Sequence, residues 1–287
     1  MEETILSVDI GGSHITAAVI DIRRRSLVPQ SLVRRKIDAH ASAPIILDAW
    51  VDALKTAEQA WGNKCGGMAV SMPGPFDYEQ GISLIKGMNK YEALYGLDIK
   101  QLFADQMQLP TKAIGFVNDA VAFLFGEALA GAGKGSSRVF GITLGTGLGS
   151  ALFERGMVKD LNLGSSPFLA GIAEDYISTR GILACYHSLG GNAVQDIKTL
   201  TEGIDVDTKA RKAIDQLAHW LANFLLTHIP VLKPDVIVVG GNISKAHRLF
   251  LPQVSHLLSE HGQLIPVKVA EMGEQAAMLG AAFMMNQ

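Results

Sequence analysis

Three short glycine-rich stretches each follow an apolar run of the chain, and an acidic residue accompanies the first of them. The stretches read DIGGS at 9–13, LGTGLGS at 144–150 and VGGNIS at 239–244. Glycine lets a backbone approach a phosphate closely, because no Cβ keeps the two apart, and successive N–H groups attract anions. Asp9 lies at the end of the first apolar run, where a carboxylate is costly unless a cation or a donor meets it. Each stretch alone predicts only a turn, and the three together in this order are more specific.

The pair Asn118 and Asp119 lies between the first two stretches and opens a helical pattern. Asn and Asp are favoured at helix N-caps, so a structural role would account for the pair by itself. The helix that follows contains Gly126, which costs ~1 kcal/mol in a helix interior and therefore predicts close packing at that point.

The residues after the first stretch predict a β-hairpin rather than a helix. Residues 15–20 have a strand-like pattern, a polar turn follows at 21–26, and 27–37 is again strand-like. Phosphate loops of the P-loop and Rossmann types must open a helix, and neither of their signatures is present here. Both standard nucleotide loops are therefore disfavoured.

A strand, a glycine turn and a second strand recur around 139–153, and each copy begins an α/β half. This recurrence predicts an internally duplicated fold. Apolar periodicity predicts the remaining elements. Helices are predicted at 44–61, 208–229, 246–261 and 275–285, strands at 67–72, 111–117, 236–239 and 267–269, and a loop-rich segment at 76–110.

The composition describes a globular protein and excludes several function classes. The 287 residues fit one large domain or two lobes, with 48% hydrophobic and 18% charged residues. A net charge of -3 gives no support for binding of nucleic acid or of an anionic membrane. Two cysteines are too few for a disulfide framework, and the sequence has neither a signal-peptide pattern nor a membrane-spanning apolar run. We therefore expect a cytoplasmic protein.

The glycine stretches, with Asn118 and Asp119 between the first two, resemble the sugar-kinase branch of the actin-like ATPase superfamily. The resemblance is closest to the ROK family (repressor, open reading frame, kinase) and covers nearly the whole chain. It implies a two-lobed, ribonuclease H-like α/β fold with duplicated mixed sheets flanked by helices. The small lobe would comprise 1–117, completed by the C-terminal helix at 275–287. The large lobe, 118–274, would carry the catalytic aspartate and the second phosphate and adenosine motifs.

ATP and Mg²⁺ are the cofactors that this resemblance implies. The N–H groups of Gly11, Gly12 and Ser13 would face the β- and γ-phosphates, and Asp9 would hold Mg²⁺ through water. The second motif would add Gly145, Thr146 and Gly147 on the phosphates, and the adenosine motif would add Gly240 and Gly241.

The resemblance also implies a site for a sugar substrate. Asp119 would be the general base that accepts the proton of the sugar hydroxyl, and Asn118 would contact neighbouring hydroxyls. The other sugar-side residues would be Gly74 and Pro75 of a Pro-Gly-Pro loop, Asn89, and Glu174, for which a solvated helix face is an equal alternative.

The segment at 159–181 departs from the family pattern. It lacks both the Gly-Glu-x-Gly-His segment and the zinc-binding cysteines of many ROK proteins, so no zinc site is expected. Asn162 and Ser165 stand where family members without zinc keep an acidic residue and a histidine. The pocket that grips the sugar's lower-numbered hydroxyls is therefore altered, and the sequence leaves open which hexose binds and whether turnover is retained.

The sequence predicts a MgATP-dependent hexose kinase, with glucose as the leading acceptor and a homodimer as the expected assembly. Another sugar, such as an amino sugar or an N-acetylhexosamine, stays open, as does polyphosphate as the donor. A sugar-sensing binding protein without turnover is the rival from another class. A family repressor would need a helix-turn-helix before the first strand, which begins near residue 5. The Asn-Asp-Ala and Pro-Gly-Pro loops disfavour an ATPase used in assembly or chaperoning.

Overall fold

The computed structural model describes residues 4–88 and 90–286. Its strands are β1 (Thr4–Ile10), β2 (His14–Asp21), β3 (Ser26–Leu27), β4 (Val33–Lys36), β5 (Met68–Met72), β6 (Phe76–Asp77), β7 (Ile82–Ser83), β8 (Ile114–Asn118), β9 (Arg138–Leu144), β10 (Leu148–Glu154), β11 (Met157–Asp160), β12 (Pro167–Phe168), β13 (Gly171–Ile172), β14 (Val236–Gly240) and β15 (Val267–Val269). Its helices are α1 (Ala43–Trp61), α2 (Ile99–Met107), α3 (Asp119–Ala130), α4 (Ala173–Tyr176), α5 (Thr179–Ser188), α6 (Ile197–Glu202), α7 (Thr208–Leu232), α8 (Leu251–Glu260) and α9 (Gln275–Met285). None of the helices in this described part is long and apolar enough to cross a membrane.

Two compact units divide the chain. The first comprises Met1–Gly126 and Glu274–Gln287, and the second comprises Glu127–Gly273. The chain therefore passes between the units within α3 and again just before α9. The lobes predicted from the sequence divide earlier, between 117 and 118, at the end of β8.

The first unit is built on a sheet with the strand order β3-β2-β1-β5-β8, in which β4 also pairs with β2. β1 and β2 run antiparallel, whereas β1, β5 and β8 run parallel to one another. Successive residues of a strand point to opposite faces. Val8 of β1 shares a core with Trp50 of α1. On the other face, the Ser7 hydroxyl donates to the carbonyl oxygen of Met278 in α9 at 2.7 Å.

The second unit repeats this arrangement in a sheet with the order β11-β10-β9-β14-β15. β9 and β10 run antiparallel, and β9, β14 and β15 run parallel. Helix α7 buries Ile214, Leu217 and Leu221 against this unit's core, as its apolar periodicity predicts. Strand order and direction agree between the two sheets, so the predicted duplication and the α/β fold class are confirmed.

Two segments of the first unit differ from their prediction. The segment 76–110, predicted as loop-rich, contains α2, whose N-cap Asp98 accepts a hydrogen bond from the N–H of Gln101. The strand predicted at 27–37 is interrupted by a 3₁₀ turn at Pro29–Ser31. Proline has no N–H to donate to a β-ladder, and for that reason the strand cannot continue through this point.

Glycines at the crossing of α3 and α9 let these two helices approach to backbone contact. A Cβ added at Gly126 would lie 2.1 Å from the carbonyl oxygen of Ala276, and one at Gly280 would lie 1.8 Å from that of Ala122. Any larger residue would force the helices apart. The close packing predicted at Gly126 is therefore confirmed.

Glu127 opens the second unit with a fully buried carboxylate. Its oxygens accept the N–H groups of Ala132 at 2.8 Å, Glu271 at 3.2 Å and Met272 at 2.8 Å. A buried carboxylate is tolerated when donors surround it in this way. The side chain thus ties together the two places where the chain leaves this unit, a role that sequence reasoning missed.

Candidate active site

The first glycine stretch forms the tight turn between β1 and β2. The N–H of Gly11 donates to the carbonyl oxygen of His14 at 2.9 Å and closes the hairpin. The carbonyl oxygen of Gly11 accepts a hydrogen bond from the Tyr91 hydroxyl at 2.5 Å. Gly12 and Ser13 are exposed, and a Cβ added at Gly12 would meet no atom within 4 Å. The hairpin itself thus uses the N–H of Gly11. That the N–H groups of Gly11, Gly12 and Ser13 face phosphates stays a prediction.

The Asp9 carboxylate lies beside the turn, on the last residue but one of β1. Asp9 pairs in register with Ser71 of β5, and the Ser71 hydroxyl donates to its Oδ1 at 2.8 Å. Burial raises the pKa of the Asp9 carboxyl to about 7; the hydrogen bond from Ser71 lowers this pKa, and the nearby negative charge of Asp119 raises it further. The site thus disfavours the charged carboxylate unless a cation compensates it.

This arrangement fits a hydrated Mg²⁺ ion better than a metal held by protein ligands alone. Mg²⁺ keeps several waters and needs only one or two carboxylates together with substrate phosphates. Across residues 4–88 and 90–286 there is no group of three or more His, Cys, Asp and Glu that could hold a metal ion. Asp9 is the residue whose donor chemistry and raised pKa suit the role.

Asn118 and Asp119 both contact the first N–H groups of α3. Asn118 Oδ1 accepts the N–H groups of Ala120 at 2.9 Å and Val121 at 3.3 Å, which is the contact of an N-cap. Asp119 is the first residue of α3, and its Oδ1 accepts the same Ala120 N–H at 2.8 Å. Asn118 therefore makes two N-cap contacts, and Asp119 shares one of their donors. The role of Asp119 as a general base stays a prediction.

Tyr78 joins this pair to the Pro-Gly-Pro loop. Its hydroxyl donates to the carbonyl oxygen of Met72 at 3.1 Å and accepts from Nδ2 of Asn118 at 3.2 Å. A Cβ added at Gly74 would lie 3.2 Å from the same hydroxyl, so Gly74 is in close contact with it, and Pro75 follows as an exposed residue. Tyr78 thus connects two of the predicted sugar-side segments, although the sequence did not single it out.

Asn89, also predicted to contact the sugar, lies outside the described residues.

The second glycine stretch forms the turn between β9 and β10 in the other unit. The N–H of Gly145 donates to the carbonyl oxygen of Gly147 at 3.0 Å. The carbonyl oxygen of Gly145 accepts both the N–H of Thr179 at 2.8 Å and the hydroxyl of Thr179 at 3.0 Å. Thr146, at the tip, is exposed. As in the first turn, the N–H of the leading glycine closes the hairpin.

Glu174 lies directly behind this second turn. Its Oε2 accepts the N–H of Leu148 at 3.0 Å and would lie 2.5 Å from a Cβ added at Gly147. Arg180 approaches the other carboxylate oxygen at 3.4 Å. These contacts support the second turn. The sequence analysis considered a sugar contact or a solvated helix face for Glu174, and it did not consider this supporting role.

The loop that carries Asn162 and Ser165 is anchored to β10. The N–H of Leu163 donates to the Ser150 hydroxyl at 2.8 Å, and a Cβ added at Gly164 would lie 2.3 Å from the Leu148 carbonyl oxygen. Asn162 and Ser165 are exposed beside each other. Two neutral polar side chains therefore occupy the positions where the resemblance implies an acidic residue and a histidine.

The third glycine stretch has a packing reason of its own. Gly240 ends β14, and Gly241 has a φ of 85° and a ψ of 176°, a conformation that few residues other than glycine adopt. A Cβ added at Gly241 would lie 2.3 Å from the carbonyl oxygen of Leu144. The backbone of β9 alone therefore requires glycine here, without any ligand.

Four contacts around the candidate site were missed by the sequence reasoning, and they come from Ser71, Tyr78, Tyr91 and Thr179. Tyr91 lies 80 residues from the carbonyl group that it binds, and no local pattern marks such a pair. The N-cap contact of Asn118 is of a different kind, because neighbouring residues predict it: a side-chain acceptor stands directly before a helical pattern.

Comparison with protein families and curated proteins adds an independent finding. The model of the ROK family matches residues 5–160 and 169–287. The N-acetylgalactosamine kinase of Shewanella sp. (strain ANA-3) is 25% identical, covering 96% of this chain and 95% of that protein. The N-acetyl-D-glucosamine kinase of Salmonella typhimurium is 26% identical, covering 96% of this chain and 97% of that protein.

Solved structures agree with the fold. The ROK family glucokinase from Streptomyces griseus, in complex with glucose and AMPPNP, has a TM-score of 0.77 and 24% identity, covering 98% of each chain. The ROK hexokinase from Thermus thermophilus has a TM-score of 0.76 and 22% identity, covering 97% of this chain and 96% of that one. The two units therefore have the α/β actin-like fold of these proteins. Since the family model matches far more than half of its residues, the chain belongs to the ROK family, and its curated relatives place it among that family's phosphotransferase enzymes.

Proposed function

We propose that this chain transfers the γ-phosphate of MgATP to a hydroxyl group of a hexose, with Asp119 as the general base. The observation that carries this proposal is the nearness of two carboxylates, Asp119 at the start of α3 and Asp9 at the end of β1. The negative charge of Asp119 raises the pKa of Asp9, the residue that would hold Mg²⁺ through water.

The chemistry asked of the protein is mainly positioning and charge stabilisation, as in phosphoryl transfer generally. Asp119 would accept the proton of the attacking hydroxyl, and Asn118 would orient neighbouring hydroxyls. The N–H groups of Gly12 and Ser13 would face the donor phosphates, and Thr146 and Gly147 would serve the same purpose from the second turn. Bound Mg²⁺ would neutralise phosphate charge.

The choice of sugar is supported by the curated relatives rather than by the loop contacts. Their names favour an N-acetylhexosamine over glucose, the leading acceptor from the sequence. Gly74, Pro75 and Asn89 would contribute to the sugar side. The neutral pair Asn162 and Ser165 offers no charged grip on the ring hydroxyls, so we expect a higher KM than an acidic residue and a histidine would give.

The test is a coupled ADP-release assay over glucose, mannose, N-acetylglucosamine, N-acetylgalactosamine and N-acetylmannosamine. Asp119→Asn should lower kcat by about 10²–10⁴-fold on the preferred sugar, because it removes the proton acceptor and keeps the shape. Asp48→Asn, at an exposed position of α1, is the matched control and should leave kcat unchanged.

Two outcomes would contradict parts of the proposal. Phosphorylation that survives in Asp119→Asn would remove the base assignment. A chain that binds a sugar but phosphorylates none of the panel, with ATP or with polyphosphate as donor, would be a sensor rather than a kinase. A cytoplasmic location and a homodimer stay predictions.

A further inference from the structure

We propose that Tyr91 is a positioning residue of the first glycine turn: its hydroxyl fixes the Gly11–Gly12 peptide so that the Gly12 N–H points toward the donor phosphates. The inference rests on the proposed function for the identity of the ligand. It rests on the geometry for the residue and for the direction in which the N–H points.

The argument starts from the planarity of the peptide bond. In a trans peptide the C=O of one residue and the N–H of the next point in opposite directions. The Gly11 carbonyl oxygen is bound by the Tyr91 hydroxyl at 2.5 Å, from the buried side of the turn. The N–H of Gly12 therefore points away from the Tyr91 hydroxyl. Gly12 itself is exposed.

Tyr91 itself is held tightly in place. It is 0% exposed, and its ring packs edge-on against Trp50 with centroids 5.4 Å apart. Its N–H donates to the carbonyl oxygen of Ala39 at 2.7 Å, and its φ of 54° lies in the left-handed region that few residues other than glycine adopt. Burial raises the pKa of the Tyr91 hydroxyl well above its usual range, so it remains a donor.

The second turn provides an independent parallel. There the carbonyl oxygen of Gly145, which has the place of Gly11 in the duplicated sheet, is bound by the N–H and the hydroxyl of Thr179. A tyrosine from a loop and a threonine at the start of α5 thus bind the same peptide of the two turns. Different residues from different elements make one contact, which indicates that the contact serves the orientation of the peptide.

The experiment uses Tyr91→Phe, which removes only the hydroxyl group, and Tyr95→Phe as the matched control. Tyr95 lies in the same segment but is 53% exposed. The Kd of Mg-AMPPNP and the Kd of the preferred sugar are measured by calorimetry, and KM for ATP by the coupled assay. Tyr91→Phe should raise the Kd of Mg-AMPPNP and KM for ATP about fivefold, with the sugar Kd unchanged, whereas Tyr95→Phe should change none of them.

The split between nucleotide and sugar separates positioning from a merely structural role. Tyr91 lies two residues after Asn89, so general loosening of its segment would weaken sugar binding. A weaker sugar Kd with an unchanged nucleotide Kd would overturn the proposal, as would no change in either. Amide hydrogen exchange gives a second readout, since the peptide covering 9–14 should exchange faster in Tyr91→Phe and at the wild-type rate in Tyr95→Phe.

Failure of the proposed function can be told apart from failure of this inference. A wild-type chain that binds Mg-AMPPNP but phosphorylates no hexose would contradict the kinase assignment. The ratio of the Kd of Mg-AMPPNP in Tyr91→Phe to that in the wild type would still decide the role of Tyr91. A wild-type chain that binds no Mg-AMPPNP at all would overturn both.

Discussion

The two glycine turns have equivalent places in the two duplicated sheets, but different side chains stand beside them. In the first unit, Asp9 pairs with Thr16 of the hairpin and with Ser71 of the parallel neighbour. In the second unit, Thr143 holds the place of Asp9 and pairs with Gly149 and Gly240. One turn is accompanied by a carboxylate and its donor, the other by a neutral hydroxyl facing glycines.

The second turn, which lacks the carboxylate, has more hydrogen bonds to its backbone than the first turn has among the described residues. Behind the second turn, Glu174 binds the Leu148 N–H, and Thr179 supplies two donors to the Gly145 carbonyl oxygen. Among the residues that the structure describes, the Gly11 carbonyl oxygen of the first turn accepts one hydrogen bond, from the hydroxyl of Tyr91. The comparison teaches that the two copies of a duplicated hairpin differ in charge and in support: the first carries a carboxylate, and the second has more contacts to its backbone.

The largest expected effect concerns the carboxylate that only the first turn has. Asp9→Asn should lower kcat on the order of a hundredfold or more, because it removes the charge that would hold Mg²⁺. The same change should leave Tm unchanged or raise it, since burial disfavours the charged form of Asp9. Steady-state kinetics and thermal unfolding measure the two effects.

Thr143→Val is the control at the equivalent position of the second sheet, and its kcat should remain within about twofold of the wild type. A comparable loss of kcat in both variants would show that the two halves share the chemistry and would contradict the comparison.

The next effect concerns stability and distinguishes Gly241, which contacts the backbone of β9, from Gly12, where an added Cβ would meet no atom within 4 Å. Gly241→Ala should lower the free energy of unfolding by about 3 kcal/mol, because its Cβ would lie 2.3 Å from the Leu144 carbonyl oxygen and its φ of 85° suits glycine. Gly12→Ala meets no atom of the protein and should leave stability unchanged, while its methyl group weakens binding of Mg-AMPPNP about tenfold.

Urea unfolding measures the free energy of unfolding of the two variants, and calorimetry measures their Kd for Mg-AMPPNP. If Gly12→Ala destabilised the chain as much as Gly241→Ala, glycine at position 12 would have a folding role that its surroundings do not explain. A stable Gly241→Ala protein would mean that β9 and β14 can separate without cost.

The sequence predicted the repeated hairpin and the α/β class because both depend on local periodicity and on strand-ending glycines. It also singled out Asp9, Asn118 and Asp119 as candidates, because polar residues interrupt apolar runs at or just after the ends of β1 and β8. The contacts of Tyr91 and Thr179 could not be predicted, because each joins segments whose separation along the chain carries no pattern. Helix α2 was missed because 76–110 mixes polar and apolar residues without a clear period.

Glycine after a strand also proved ambiguous in a physical sense. Gly12 and Gly241 look alike in the sequence, but the first faces open space and the second faces a neighbouring backbone. Only the packing partner distinguishes a glycine kept for a ligand from a glycine kept for the fold, and that partner is set by tertiary structure.

The smallest expected effect tests the reinforcement of the second turn. Thr179→Val removes the hydroxyl that lies 3.0 Å from the Gly145 carbonyl oxygen but keeps the N–H at 2.8 Å and the β-branched shape. The peptide after Gly145 should therefore keep its orientation, and KM for ATP should rise by less than about twofold.

Thr227→Val, which removes an exposed hydroxyl bonded within α7, is the control for loss of a threonine hydroxyl and should leave KM for ATP unchanged. The informative quantity is the ratio of the KM for ATP of Tyr91→Phe to that of Thr179→Val. Each variant removes one hydroxyl group that binds the equivalent carbonyl oxygen of its turn. A larger loss in Thr179→Val would mean that the N–H of Thr179 cannot hold the peptide alone. The second turn would then depend on its hydroxyl as fully as the first, and the asymmetry between the two turns would be confined to Asp9.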